Sequence, residues 1–89
     1  MSLIFTFGPV GVCPVQAEGT INGYPFYFRS RHARWSLHVA SSPSGDALDE
    51  DAWTISEDYP MAGYATHDEC IAFIERQAQT FTKTLTLLN

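Results

Sequence analysis

Hydrophobic and polar residues alternate from Val15 to Val39, and a short turn signal divides this alternation. Asn22-Gly23 favours a type I′ hairpin turn, because both residue types tolerate positive φ. A two-residue turn at this place fixes which residues face each other across the hairpin. The predicted pairs are Val15 with Ser30, Ala17 with Phe28, Gly19 with Phe26, and Ile21 with Tyr24.

A second tight turn is predicted at His32-Ala33, before the next alternating segment. The pairs that it sets are Phe26 with Val39, Phe28 with Leu37, Arg29 with Ser36, and Arg31 with Arg34. The two registers can be checked against each other, since a slip of one residue would invert every side chain. They agree, because both place the large apolar side chains on the same side of a three-stranded meander.

The predicted meander has one buried and one solvated face, a common arrangement for antiparallel sheets. The apolar face collects Val15, Ala17, Ile21, Tyr24, Phe26, Phe28, Trp35, Leu37 and Val39. The polar face collects Gln16, Glu18, Thr20, Tyr27, Arg29, Arg31, Arg34, Ser36 and His38. Another element must therefore cover the apolar face.

The segment THDECIAFIERQA predicts a helix that provides this cover. Thr66 and Glu69 have the spacing of a capping box, and Asp68 places negative charge where the helix dipole favours it. Apolar residues then recur at helical spacing on one stripe: Cys70, Ile71, Ile74, Ala78 and Phe81.

The tail TFTKTLTLL fits two structures. Phe81, Leu85 and Leu88 continue the helical stripe, whereas the threonines alternate with the other residues as they would in a strand. No Gly or Pro ends the helix before Thr80, which favours a helix that runs into the low 80s. A terminal strand is the alternative.

Two further strands complete the predicted sheet. Leu3, Phe5 and Phe7 alternate with Ile4 and Thr6, and WTIS follows the loop SSPSGDALDEDA, which is rich in Ser, Gly, Pro and acidic residues. The predicted fold is α+β, an antiparallel meander sheet of four to five strands with one C-terminal helix packed on one face. Its length of 89 residues predicts a single domain, 1–89.

Composition and charge exclude several classes of function. Ten acidic against five basic residues argue against a phosphate backbone or an anionic membrane as direct ligand, since both need a concentrated positive surface. No stretch is apolar for long enough to span a bilayer, and the N-terminus lacks the basic residues of a signal peptide, so a cytoplasmic protein is expected. The two cysteines, Cys13 and Cys70, have no metal-ligand spacing, although one disulfide bond between them stays open. We therefore expect neither a metal nor a cofactor.

No segment carries a catalytic signature. The chain lacks G-x-S-x-G, a glycine-rich phosphate loop, H-E-x-x-H and C-x-x-C. Glu57-Asp58 is the nearest approach to a carboxylate pair, but adjacent strand residues point to opposite faces and cannot act on one bond. The expectation is a protein without enzymatic activity.

Three of the five basic residues lie on the polar face of the predicted meander. Guanidinium groups at neighbouring cross-strand positions can hold carboxylates or phosphates through paired hydrogen bonds. The ordinary interpretation is a solvated outer face, with Glu18 near enough to pair with one arginine. The partner-binding candidates on this face are Tyr27, Arg29, Arg31, Arg34 and His38.

Acidic residues form a second candidate surface, and the ordinary interpretation is a loop that aids solubility. A negative surface without Lys or Arg can also dock on a basic groove. Its members are Asp46, Asp49, Glu50, Asp51, Glu57 and Asp58. Residue types that often anchor interfaces follow in WTISEDYPMAGY, namely Trp53, Tyr59, Met61 and Tyr64, and these also suit the edge of a core.

The segments CPVQAEGTINGYPFYFRSRHARWSLHV and AGYATHDECIAFIERQA resemble a family of small uncharacterised bacterial and prophage proteins. This resemblance implies a meander plus helix and no reaction. By size, acidity and lack of catalytic motifs, the chain is also similar to phage anti-CRISPR proteins, which inhibit RNA-guided effector complexes. That second resemblance is one of type and transfers no site residue.

The favoured function is a non-catalytic, acidic protein-interaction module, with an anti-CRISPR inhibitor of a nucleic-acid-handling complex as its sharpest form. The partner would be a protein such as a CRISPR effector subunit, with no direct nucleic acid contact, and a homodimer is an alternative assembly. Two other hypotheses stay open: a small anionic-ligand binder that uses the arginine face, and a self-assembling structural protein.

Overall fold

In the part of the chain that the structure describes, five antiparallel strands form one sheet in chain order and one long helix follows them. The structure, a computed structural model, describes residues 2–60 and 62–88. The strands are β1 (Leu3–Val10), β2 (Val15–Ile21), β3 (Tyr24–Arg31), β4 (Arg34–Val39) and β5 (Trp53–Asp58). A 3₁₀ turn at Ala62–Tyr64 precedes helix α1 (His67–Leu88). The α+β class is confirmed, with five strands.

Both predicted hairpin registers are confirmed at every pair. Ile21 faces Tyr24 across the first turn, and Arg31 faces Arg34 across the second. Asn22 and Gly23 have positive φ angles of 51° and 85°, as a type I′ turn requires. His32 also adopts a positive φ, 55°, so it takes the conformation that Asn takes in the first hairpin.

The inner face of the sheet, defined by the buried residues of β2, β3 and β4, carries the core. Phe28, Leu37 and Val39 have no exposed surface, and only Tyr24 among the predicted inner residues is half-buried. Ser30, which the alternation also places on this face, is fully buried and donates its hydroxyl hydrogen bond to the carbonyl oxygen of Ala62. This bond ties the 3₁₀ turn to the sheet.

Helix α1 covers the inner face and starts at the predicted capping box. The Thr66 backbone N–H donates to Glu69 Oε1 (2.9 Å), and the Glu69 N–H donates to Thr66 Oγ1 (3.1 Å). Tyr59 adds a hydroxyl hydrogen bond to Glu69. The backbone hydrogen bond from Thr66 and the bond from Tyr59 lower the pKa of Glu69, while the same carboxylate raises the pKa of Tyr59.

The buried stripe of α1 differs from the predicted one at two positions. Phe73 is buried in the core and Ile71 is only half-buried, since the stripe follows Cys70, Phe73, Ile74, Ala78 and Phe81. The centroid of the Phe73 ring lies 4.5 Å from that of the Trp35 ring and 5.7 Å from that of the Phe28 ring. The helix continues to Leu88, so the strand alternative for the tail is wrong over the part of it that the structure describes.

Strand β1 departs from the simple alternation of its sequence. Register shifts between Phe5 and Phe7 and between Phe7 and Val10 mark bulges against β2. Leu3 and Phe5 pack against the core, whereas Phe7 lies opposite Glu18 and is 48% exposed. The bulge therefore moves Phe7 to the outer face, away from the face of Leu3 and Phe5.

Within residues 2–60 and 62–88, no helix has the length and apolar character that crossing a membrane requires.

Candidate partner-binding face

The outer face of the sheet, opposite helix α1, carries the predicted arginine cluster. The pairs Arg29–Ser36 and Arg31–Arg34 lie next to each other on β3 and β4, and the turn residue His32 closes the end of the hairpin. Together these five residues line an open depression of about 250 Å³. The tight turn causes this clustering, because it brings two arginine-bearing strand ends to within one cross-strand step.

The guanidinium groups around this depression differ in what already holds them. Arg31 Nε donates to His32 Nε2 at 3.0 Å, which orients the guanidinium and leaves its two terminal nitrogens for other partners. Arg34 Nη2 lies 3.1 Å from Asp58 Oδ1, but these side chains are 65% and 83% exposed, so water and salt screen the pair. Within residues 2–60 and 62–88, neither Arg29 nor Arg31 forms an ion pair, and the buried Arg29 Nε has no hydrogen-bond partner.

Tyr27 and His38 form the next row of the outer face, one step away from the arginines. The Tyr27 hydroxyl donates to Gln16 Oε1 at 3.0 Å, and its ring lies 6.1 Å from the His38 ring. His38 Nδ1 is 3.3 Å from Thr54 Oγ1. Partial burial lowers the pKa of His38, which favours its neutral form at pH 7. His38 therefore adds little positive charge to that of the arginines.

Apolar side chains of β1 extend the same face. Ile4, Phe7 and Val10 pair with outer-face residues of β2 and are 54%, 48% and 42% exposed. Val10 pairs with Gln16 of β2, and Gln16 pairs in turn with Arg29 of β3, so the three residues form one cross-strand row. An uncovered sheet face thus combines a tyrosine, arginines and a margin of exposed apolar groups, which are the residue types of protein interfaces.

The structure divides the predicted acidic surface into two parts. Asp46, Asp49, Glu50 and Asp51 are exposed in the loop between β4 and β5. Two of them stabilise its turns, since Asp46 Oδ1 accepts from the Leu48 N–H and an Asp49 oxygen accepts from the Asp46 N–H. This loop lies at the opposite end of the sheet from the arginine depression, about 17 Å away along β4 at the rise of a strand.

The other two acidic candidates lie on β5 and already contact arginines. Glu57 accepts from Arg76 Nη2 of helix α1 at 2.8 Å, and Asp58 pairs with Arg34. Glu57 faces Trp35 of the inner face and Asp58 faces Arg34 of the outer face, as expected for adjacent strand residues. The six acidic side chains therefore do not lie on one side of the sheet, and a single partner surface cannot contact all of them.

The aromatic candidates near β5 mainly complete the core. The Tyr59 ring stacks on Trp35 at 4.3 Å between centroids, and Trp53 packs edge-on against Phe81 at 5.4 Å. Tyr64 is 68% exposed. Met61 lies outside the residues that the structure describes.

Both cysteines are free, so the disulfide alternative is wrong, and burial raises the pKa of the Cys70 thiol to about 11. The part of the chain that the structure describes contains no group of three or more His, Cys, Asp or Glu side chains that could hold a metal ion.

Two residues of the arginine depression were not among the predicted site residues. His32 and Ser36 line the depression, and the register places Ser36 opposite Arg29. Their alignment with the arginines could have been found from the second hairpin turn. The exposure of Phe7 and Val10 could not have been predicted from the sequence, because it results from bulges in β1 that the alternation of apolar and polar residues does not indicate.

The comparisons with known proteins add no further assignment. No protein-family model, no curated protein and no solved structure matches the chain. The resemblances to prophage proteins and to anti-CRISPR proteins therefore stay predictions, and the function must be argued from the site.

Proposed function

We propose that this chain is a non-catalytic protein-interaction module whose outer sheet face binds an acidic segment of a partner protein. The observation that carries the proposal is the pair Arg29 and Arg31, which face an open depression without a carboxylate partner among the described residues. A guanidinium without a partner is a strong donor to carboxylates, because its planar fork matches both carboxylate oxygens.

The surroundings of the depression favour a protein over a small anion. A small carboxylate or phosphate needs only the arginines, whereas Phe7, Val10 and Tyr27 add contact area that only a larger partner can cover. Interfaces commonly place aromatic and arginine anchors inside such a margin. The acidic segment would enter at the hairpin end and lie across β3 towards β1.

The test is fluorescence anisotropy with a labelled hexaglutamate peptide at low and high salt. The wild-type chain should bind at micromolar or weaker affinity, and salt should weaken the binding. Replacing both Arg29 and Arg31 with Ala should abolish it, whereas Arg76→Ala, which removes an arginine of helix α1, should leave it unchanged. Equal binding by the double variant, or no binding at low salt, would overturn the proposal.

The same titration and a sedimentation experiment test the two competing uses of this face. Citrate that binds as tightly as the peptide would favour a small anionic-ligand binder. Concentration-dependent dimerisation in sedimentation, lost in the double arginine variant, would assign the face to a second copy of the chain.

A second candidate function rests on the acidic loop. Asp49, Glu50 and Asp51 are exposed and lie far from the arginines, so they are free to dock on a basic groove. This is the form that an inhibitor of an RNA-guided effector complex would take. Tagged protein incubated with such complexes should retain effector subunits, and the triple variant Asp49→Lys, Glu50→Lys and Asp51→Lys should not. Equal retention by both proteins would count against this function.

A further inference from the structure

A second cavity lies at the end of the molecule opposite the arginine depression. Its volume is about 240 Å³, and it lies between the β4–β5 loop, the start of β5 and the C-terminal part of α1. The lining residues are Ser41, Asp51, Trp53, Phe81, Thr84 and Leu85. None of them belongs to the outer face, so this cavity is independent of the function proposed for the arginine face, whereas it shares Asp51 with the acidic loop.

The walls of the cavity are apolar and held by the core. Phe81 is 3% exposed, and its ring meets the Trp53 ring edge-on at a centroid distance of 5.4 Å and an angle of 62°. Leu85 packs partly against the same core cluster. Side chains that pack against the core in this way have little conformational freedom left to lose, which lowers the entropic cost of binding.

The polar contribution to the lining is negatively charged. Asp51 Oδ2 accepts a hydrogen bond from Ser41 Oγ at 2.9 Å, which holds the carboxylate at the rim. Asp51 forms no ion pair with any residue in the ranges 2–60 and 62–88. Lys83, the chain's one lysine, is exposed and is not among the described lining residues. The three other acidic residues of the loop increase the negative potential.

Size and charge together limit the ligand. Pockets for drug-sized ligands typically measure about 300 to 1,000 Å³, so this cavity suits a smaller molecule. A carboxylate at the rim disfavours anions and attracts a cation. We propose that the cavity binds a small organic ammonium with an aromatic or branched-alkyl body. The ammonium pairs with Asp51, and the body packs between Trp53, Phe81 and Leu85.

The test is an NMR titration of ¹⁵N-labelled protein with 2-phenylethylamine, which is an ammonium ion at pH 7. The chain has two indole N–H signals, and the variant Trp53→Phe identifies the one in the cavity. The Trp53 signal should shift and saturate, whereas the buried Trp35 signal serves as the internal reference. Phenylacetate carries the same ring with the opposite charge and should not shift it. The neutral 2-phenylethanol should bind more weakly than the ammonium.

Two variants distinguish a specific binding site from nonspecific binding to an apolar surface. Asp51→Asn should weaken binding of the ammonium by up to about fivefold, as loss of one exposed ion pair implies, while Glu50→Gln, which removes a charge from the same loop outside the lining, should weaken it much less. Thr84→Leu should block the cavity by filling it, with the fold confirmed by the dispersed NMR spectrum.

Three results would overturn the proposal. They are the absence of a saturable shift up to about 10 mM ligand, equal shifts with the amine and phenylacetate, and unchanged affinity in Asp51→Asn.

Discussion

The two faces of the sheet are built from the same strands but obey different constraints. On the inner face, Phe28 and Leu37 are fully buried beneath helix α1. On the outer face, the adjacent residues Tyr27 and His38 stay half-exposed, and no element described in the structure covers them. The inner face therefore sets the stability of the fold, and the outer face can change its chemistry at little cost in stability.

The largest difference between the two faces is expected when one large side chain is truncated on each. Phe28→Ala removes a fully buried ring that contacts Phe73, and should lower the free energy of unfolding by about 3 to 5 kcal/mol. Tyr27→Ala on the outer face should cost about 1 kcal/mol or less. Urea denaturation followed by circular dichroism measures both.

A control keeps this prediction informative if Phe28→Ala fails to fold, since a domain of this size has only about 5 to 15 kcal/mol of stability. Phe28→Leu keeps most of the buried volume and should fold with a loss of about 1.5 kcal/mol. Equal losses for Tyr27→Ala and Phe28→Ala would contradict the division between the faces.

The next largest effect is expected at Gly19, where the inner face has no room for a side chain. A Cβ atom there would lie 1.9 Å from the carbonyl oxygen of Ile4 and 2.8 Å from the ring of Phe26. Gly19→Ala must push β1 away and should cost about 1 to 3 kcal/mol. Thr20→Ala, one residue along on the outer face, should cost less than about 0.5 kcal/mol. Amide hydrogen exchange should locate the damage in β1, and unaltered exchange there would refute this explanation.

The sequence predicted the central part of the fold because local signals agreed there. Asn22-Gly23 set one register, and the alternation that it implied matched the register from His32-Ala33. Strand β1 was predicted only in outline, since its bulges depend on contacts with β2 that a local pattern does not carry. Phe73 was missed in the helical stripe because neighbouring positions 73 and 74 both reach the core.

The candidate site was predictable to a similar extent. The cross-strand register that the two hairpin turns set is enough to place Arg29, Arg31 and Arg34 next to each other. The role of His32 as an acceptor for Arg31 depends on side-chain torsions, and alternation does not predict those. The acidic run appeared continuous along the chain, yet the extended strand β5 carries Glu57 and Asp58 away from the loop.

The helix that covers the inner face should depend on its first turn. Thr66→Ala removes the side-chain acceptor of the Glu69 N–H and should lower stability by about 1 kcal/mol. Thr80→Ala is the matched control, because Thr80 is exposed within the same helix and its hydroxyl only bonds back to the Arg76 carbonyl oxygen. That variant should be neutral or slightly stabilising. Equal destabilisation of both variants in thermal unfolding would show that the capping box is not needed.

The smallest expected effect is a pH dependence that arises on the outer face. Partial burial lowers the pKa of His38 below its ordinary value of 6.5, so the unfolded chain binds a proton there more readily than the folded chain does. Stability should therefore be lost as the pH falls through 6.5 and should level off below the lower folded pKa. Tyr27 and Thr54 contact the His38 ring, and a proton on His38 would also meet the charge of Arg29 in the adjacent row. His38→Gln should remove this part of the pH dependence, and the difference between its stability curve and that of the wild type isolates the contribution of His38.

The carboxyl group of Glu69 acts in a separate pH range. Its pKa is lowered from the ordinary value of 4.5, so the stability that it gives to the helix cap is lost only as the pH falls below 4.5. Identical curves for His38→Gln and the wild type between pH 5 and about 7 would mean that burial leaves His38 without influence on stability.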